Sequence, residues 1–102
     1  MKTSEWDVLV LDLDGTLLCK QGEVSDENVH ALDEVRECGI EIVVATGRCF
    51  AECKHILDRI NHSGVCITAG GSQLTDFEGN CLARNVVPKS IVEDVTSKIL
   101  ES

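Results

Sequence analysis

The sequence contains no uninterrupted apolar run near the roughly 18 residues that span a bilayer, so no membrane partner is expected. Basic residues are few. Nine Lys and Arg stand against 18 Asp and Glu, a formal net charge of −9. Such an excess repels nucleic acid and anionic membranes, and neither is expected as a partner. Its plain reading is solubility. There is no GxxxxGKS or GxxxxGKT loop, which excludes a Walker-type nucleotide site, and Gly70-Gly71 is too little for a dinucleotide fingerprint. No spacing supports a Ser/His/Asp arrangement. Repeats, low-complexity tracts and long linkers are also lacking, so 102 residues at 43% hydrophobic suit one small domain with a modest core.

Six cysteines are present, Cys19, Cys38, Cys49, Cys53, Cys66 and Cys81, but no Cys-x-x-Cys pair and no leader precede them. They read as small buried hydrophobes in a reducing cytosol, and a cytoplasmic location is expected. Cys49 and Cys53 share a helix face near His55 and His62, yet the spacing matches no familiar zinc pattern.

Along the chain, residues 6–12 form a near-continuous apolar run, which suits a strand buried on both faces. A polar loop follows to residue 24. Ser25 is a plausible N-cap for a helix that carries Val29, Leu32, Val35 and Cys38 on one face and ends at Gly39. Residues 40–45 are a second strand, Thr46-Gly47-Arg48 a turn, and Cys49, Cys53, Ile56, Leu57 and Ile60 mark a second helix. Val65–Thr68 is a third strand. A hairpin over 73–77 and 81–87 follows, then a last helix behind Pro88 with Val92, Val95 and Ile99 on one face. Strand-helix-strand-helix-strand implies right-handed crossovers and a parallel α/β sheet of the Rossmann-like kind. Ligands of such sheets sit beyond the carboxyl ends of the strands, where Asp12, Thr46 and Gly70 fall.

The stretch VLVLDLDGTLL, residues 8–18, ends a greasy strand on two carboxylates that share one side of an extended backbone. Like charges so close repel unless a cation sits with them, and Mg²⁺ takes oxygen ligands while leaving room for a phosphate oxygen. An aspartate can attack phosphorus, and a second carboxylate two residues on can handle the proton. Gly15 permits a tight turn whose N–H groups can hold phosphate oxygens. Thr46 offers a hydroxyl, Gly47 an N–H at a helix start, and Arg48 positive charge. Plainer readings exist: the aspartates as turn formers, ATGR as a strand-to-helix cap, Arg48 as solvated or ion-paired. Asp12, Asp14 and Glu23 also stand at positions one, three and twelve of a calcium loop, but position six is Leu17 rather than glycine and a strand precedes.

VLVLDLDGTLL resembles the first motif, DxDGT after a hydrophobic strand, of the haloacid dehalogenase (HAD) superfamily. IVVATGR resembles its second motif, and the 34 residues from Asp12 to Thr46 suit a unit with no cap inserted. ITAGGSQLTDFEGN looks like the segment that leads into the cap of the Cof-type subfamily. The resemblance implies a three-layer HAD-like fold, here partial, with residues 1–72 as core and 73–102 as the beginning of a C2-type cap. It implies a phosphatase of small sugar-phosphate-like esters that works through an aspartyl-phosphate. Asp12 would be nucleophile and Mg²⁺ ligand, and Asp14 general acid/base and Mg²⁺ ligand through its carbonyl. Thr46, Gly47, Gly15 and Arg48 would bind phosphate.

Two departures accompany the match. The asparagine common before the glycine of the third segment is Gly70 here. The third-motif lysine and fourth-motif acidic pair of the family lie past the cap, whereas this sequence stops at Ser102, within the expected first cap helix. The site is therefore expected to be incomplete within these residues. The first strand is expected to lie at an exposed apolar edge, a surface for pairing with another copy. The alternative to an enzyme is an inactive domain acting through self-association or partner binding.

Overall fold

The computed structural model describes residues 5–101. Its elements run β1 (Val8–Asp12), α1 (Asp26–Glu37), β2 (Glu41–Ala45), α2 (Phe50–Arg59), β3 (Cys66–Thr68), β4 (Gln73–Thr75), β5 (Cys81–Arg84) and α3 (Lys89–Glu101). The five strands form one mixed sheet in the order β1-β2-β3-β4-β5. The first three are parallel; β4 and β5 add antiparallel to β3. The ladder thus passes from residue 68 to residue 84 without leaving the sheet, across the point where the cap was expected to begin.

The expected signals act as read at several boundaries. The Ser25 hydroxyl accepts the Asn28 N–H at 3.1 Å, satisfying one of the orphan donors that open α1. Cys38 and Gly39 close the helix, with the Gly39 N–H on the Arg36 carbonyl at 2.9 Å. Leu32 of α1 and Cys53, Ile56 and Leu57 of α2 are buried with Ile60 against Ile42, Val44 and Cys66 of the sheet.

Register explains which face that is. Leu9 lies beside Ile42 and Leu11 beside Val44, while Val8, Val10 and Asp12 align with Glu41, Val43 and Ala45 on the opposite face. Two right-handed crossovers that step the same way across a sheet put both helices on one side. Only one of the two helical layers of a three-layer arrangement is therefore present among the described residues. This corrects the reading of the first strand as buried on both faces: Val8 is 47% and Val10 60% exposed. No side chain of α3 is buried either, and Ile91, Val92, Val95 and Ile99 line an uncovered stripe.

The cysteines also divide. Cys53 and Cys66 are buried, and burial pushes both thiols up. Cys19, Cys49 and Cys81 are exposed, against their reading as small buried hydrophobes. Cys49 precedes α2 as its N-cap residue, so its side chain leaves the buried face of that helix, and its thiol donates to Glu52 at 2.8 Å.

His62 is buried at the end of α2, 6% exposed, with Nε2–H donating to the Val65 carbonyl at 3.0 Å. Burial, the larger effect, pulls its pKa below the ordinary 6.5, and the hydrogen bond opposes this only in part. The unfolded chain therefore takes up a proton before the folded one does. This contribution to stability is whole above pH 6.5 and is lost as pH falls through the depressed folded value. Thermal melts from about pH 7.5 down to about 5.5 should show a declining midpoint in the native protein and a shallower decline in His62→Gln. Equal slopes in the two would remove His62 as the cause.

Candidate active site

Three loops meet at the carboxyl ends of β1, β2 and β3. The first begins at Asp12, the last residue of β1, which is exposed and makes no cap hydrogen bond to the turn that follows. That turn is wide: the Leu18 N–H reaches back to the Leu13 carbonyl at 3.0 Å. Leu13 and Leu17 are buried inside it, at 0% and 5% exposure. The apolar residue between the two aspartates thus pins the turn to the core while both acids stay at the surface. Gly15 has φ +78°, a left-handed conformation that side chains rarely adopt, with open space where a Cβ would stand.

The second loop starts one residue after Ala45, the register partner of Asp12. Thr46 is 4% exposed, and its hydroxyl accepts the Arg48 N–H at 3.1 Å. Gly47 is exposed, with nothing within 4 Å of where a Cβ would stand. The third loop is stitched to the second by backbone alone. Thr46 N–H donates to the Ile67 carbonyl at 2.8 Å, Ala69 N–H to the Arg48 carbonyl at 2.7 Å, and Gly70 N–H to the Thr46 carbonyl at 3.2 Å. Gly70 has φ +67°, a region that glycine and asparagine enter most easily, which gives the exchange of one for the other at this position a backbone reason.

One contact was not readable from spacing. The Arg48 guanidinium forks the Asp14 carboxylate, Nε to Oδ2 at 2.9 Å and Nη2 to Oδ1 at 2.7 Å, while Nη1 donates to the Glu52 carbonyl at 3.3 Å. Of the readings open for Arg48, this is the ion-paired one. The fork holds the Asp14 carboxyl below the usual carboxylate range. Glu52 is lowered too, first by the hydrogen bond from Cys49. Nothing in the sequence flags a pair 34 residues apart; only the parallel register of β1 and β2 brings the two loops side by side.

A magnesium site needs several oxygen donors around one point. The Asp14 carboxylate is taken up by Arg48, which leaves its carbonyl as the donor the resemblance assigns to Mg²⁺, and among the described residues no group of three or more His, Cys, Asp or Glu side chains converges. Asp12 and Asp14 therefore do not make a Mg²⁺ site by themselves. The same observation removes a zinc site from Cys49, Cys53, His55 and His62.

The parallel strands of this mixed sheet thus end on an Asp-x-Asp turn, a Thr-Gly-Arg turn and a glycine turn, an α/β arrangement with its rim at the carboxyl ends of the strands. The family model described as haloacid dehalogenase-like hydrolase matches residues 9–102, and the chain belongs to that family. It is similar to the 5-amino-6-(5-phospho-D-ribitylamino)uracil phosphatase YcsE of Bacillus subtilis, 34% identical over 80 residues, which cover 78% of this chain and 32% of that protein. It is likewise similar to the HMP-PP phosphatase of Yersinia pestis, 34% identical over 84 residues, covering 82% and 31%. Among solved structures, a phosphatase of the haloalkanoate (HAD) superfamily from Bacteroides thetaiotaomicron superposes with a TM-score of 0.84 at 30% identity, covering 94% of this chain and 35% of that one. A haloacid dehalogenase-like hydrolase from B. subtilis gives 0.82 at 33% identity, covering 93% and 33%. The fold is HAD-like, and the chain spans about a third of the length of the curated relatives it matches.

Proposed function

We propose that this chain carries the nucleophile half of a phosphohydrolase that acts on a small, sugar-phosphate-like phosphoester. The observation that supports it most is the placement of Asp12: an exposed carboxylate at the end of β1, one register step from Thr46, at a rim built by three loops. In this reading an Asp12 carboxylate oxygen attacks phosphorus and the bond from phosphorus to the ester oxygen breaks. Paired with Arg48, Asp14 is ionised, so the donor in this reading is its protonated form, released from that fork, whose proton goes to the leaving oxygen. A water then attacks the aspartyl-phosphate, surrenders a proton to Asp14, and releases inorganic phosphate and free Asp12. Thr46 and Gly47 offer the non-bridging oxygens a hydroxyl and a backbone N–H in the loop that leads into α2, where anions are stabilised, and Gly15 offers a backbone N–H from the turn after β1.

Magnesium belongs to the proposal as a shared site. Asp12 and Asp14 are this chain's share, and the resemblance puts the acidic pair and lysine in the part of the relatives that these residues do not span. Residues 1–72 would be the phosphoester-cleaving core and 73–102 the approach to a cap. The two relatives named above act, by their names, on phosphorylated small molecules. No helix among the described residues is long and apolar enough to cross a membrane, and the cytoplasm is the proposed location.

The test is hydrolysis of a generic aryl phosphate and a panel of sugar phosphates, with Mg²⁺ and with chelator. Turnover that the chelator removes supports the reading; turnover indifferent to it contradicts the shared site.

Among the described residues β1 is an edge strand with Val8 and Val10 exposed on its outer face, which favours a second reading, self-association through that strand. Sedimentation should then show a concentration-dependent dimer that Val10→Lys disperses. A native monomer at high concentration would sink it.

A further inference from the structure

Arg48 stands at the rim with all three guanidinium nitrogens, its backbone N–H and its carbonyl each making a hydrogen bond. Its guanidinium grips Asp14 of the first loop through two parallel bonds of 2.9 and 2.7 Å. Its N–H rests on the Thr46 hydroxyl, and its carbonyl receives the Ala69 N–H of the third loop at 2.7 Å. Nη1 returns to the Glu52 carbonyl of α2. One residue therefore joins all three loops. A free phosphate-binding arginine would present its fork to the open rim, whereas this fork, 29% exposed in side chain, is spent on a carboxylate.

We infer that Arg48 is a positioning residue: its planar fork fixes the orientation of the Asp14 carboxylate and couples that carboxylate to the loops after β2 and β3. The inference rests on the proposed phosphohydrolase role of Asp14. The geometric reason is that a bidentate guanidinium–carboxylate pair defines both the plane and the rotation of the acid, which a point-charge ammonium cannot do. The pair is too exposed for its energy to matter much to folding. Its weight lies in geometry. Asp14 follows Asp12 by two residues on a turn held from below by Leu13. The fork supplies the remaining restraint, from above.

The test needs no turnover. In the native chain, the Asp14 carboxyl carbon and the Arg48 Nε–H should give NMR signals characteristic of a fixed pair. In Arg48→Lys, which keeps the charge, and in Arg48→Gln, the Asp14 carboxyl carbon should move to a solvated, averaged position, with no rescue by lysine. Asp14→Asn should speed exchange of the Ala69 and Gly70 amides, which Asp14 does not touch, and the double variant should add nothing further. With inorganic phosphate as probe, Arg48→Gln should change affinity by less than about threefold, whereas loss of a charged ligand would cost about tenfold or more.

An unmoved Asp14 signal, full rescue by lysine, or a tenfold loss of phosphate affinity would overturn the positioning role. Variants that lose the native amide spectrum are replaced by Arg48→Met, which keeps the stem. If the native chain binds no phosphate and cleaves no ester while the Asp14 signature and the loop coupling hold, the proposed function fails and Arg48 keeps only its geometric coupling of the three loops.

Discussion

Asp12→Asn should lower phosphoester turnover by at least about 10³-fold, because an amide is no nucleophile toward phosphorus and no other acid at the rim can replace it. Asp14 cannot step in: its carboxylate is forked by Arg48. The fold should survive, since Asp12 is exposed and caps nothing. Parallel assays of the native protein, Asp12→Asn and Asp12→Ala, with melting curves as control, check this. Undiminished turnover in either variant would remove Asp12 as the nucleophile, and a folded Asp12→Ala protects against deamidation of the new asparagine.

The largest stability effect should come from Leu13, the fully buried residue between the two aspartates. Leu13→Ala removes three carbons from a site with no solvent contact, at a cost of about 3 kcal/mol. A small domain has only roughly 5–15 kcal/mol in hand, and this one packs helices on a single face of its sheet. Urea unfolding of the variant should show a midpoint well below native at an unchanged slope. The rim should respond as well, because Leu13 and the bond from Leu18 N–H to the Leu13 carbonyl hold the turn that carries Asp14. A cost under about 1 kcal/mol would mean that the turn is held elsewhere.

Much of this molecule is legible from local chemistry. Ser25 caps α1 as its side chain and position require, and Gly39 follows the helix end. The alternation of strand and helix implies parallel pairing of β1 with β2, and within it Asp12 lies beside Ala45, one residue before Thr46. These signals act within a few residues, or through rules of chain handedness that any such alternation obeys. What stays hidden is contact between distant side chains and what covers a surface. Arg48 could have been solvated, phosphate-directed or ion-paired, and only the side-by-side loops decide for Asp14. The run VLVL reads as buried on two sides because its composition does not depend on which neighbours are present. Val8 and Val10 face no helix among the described residues, since both crossovers deliver α1 and α2 to the other face. Cys49 carries a helical period from the buried side of α2, yet it sits at the cap, where the backbone turns away. The hairpin over residues 73–84 carries its own turn signals. That it pairs onto β3 rather than standing apart is a fact of the ladder, not of its sequence.

The proposed chemistry requires phosphorus to become bonded to Asp12. The most direct measurement is to mix the protein with a reactive aryl phosphate and Mg²⁺, quench in acid, reduce any acyl phosphate with borohydride, and sequence the peptides by mass. Asp12, and no other carboxylate, should appear as homoserine. Modification at Asp14 instead, or hydrolysis that proceeds with position 12 still aspartate at every quench time, would contradict it.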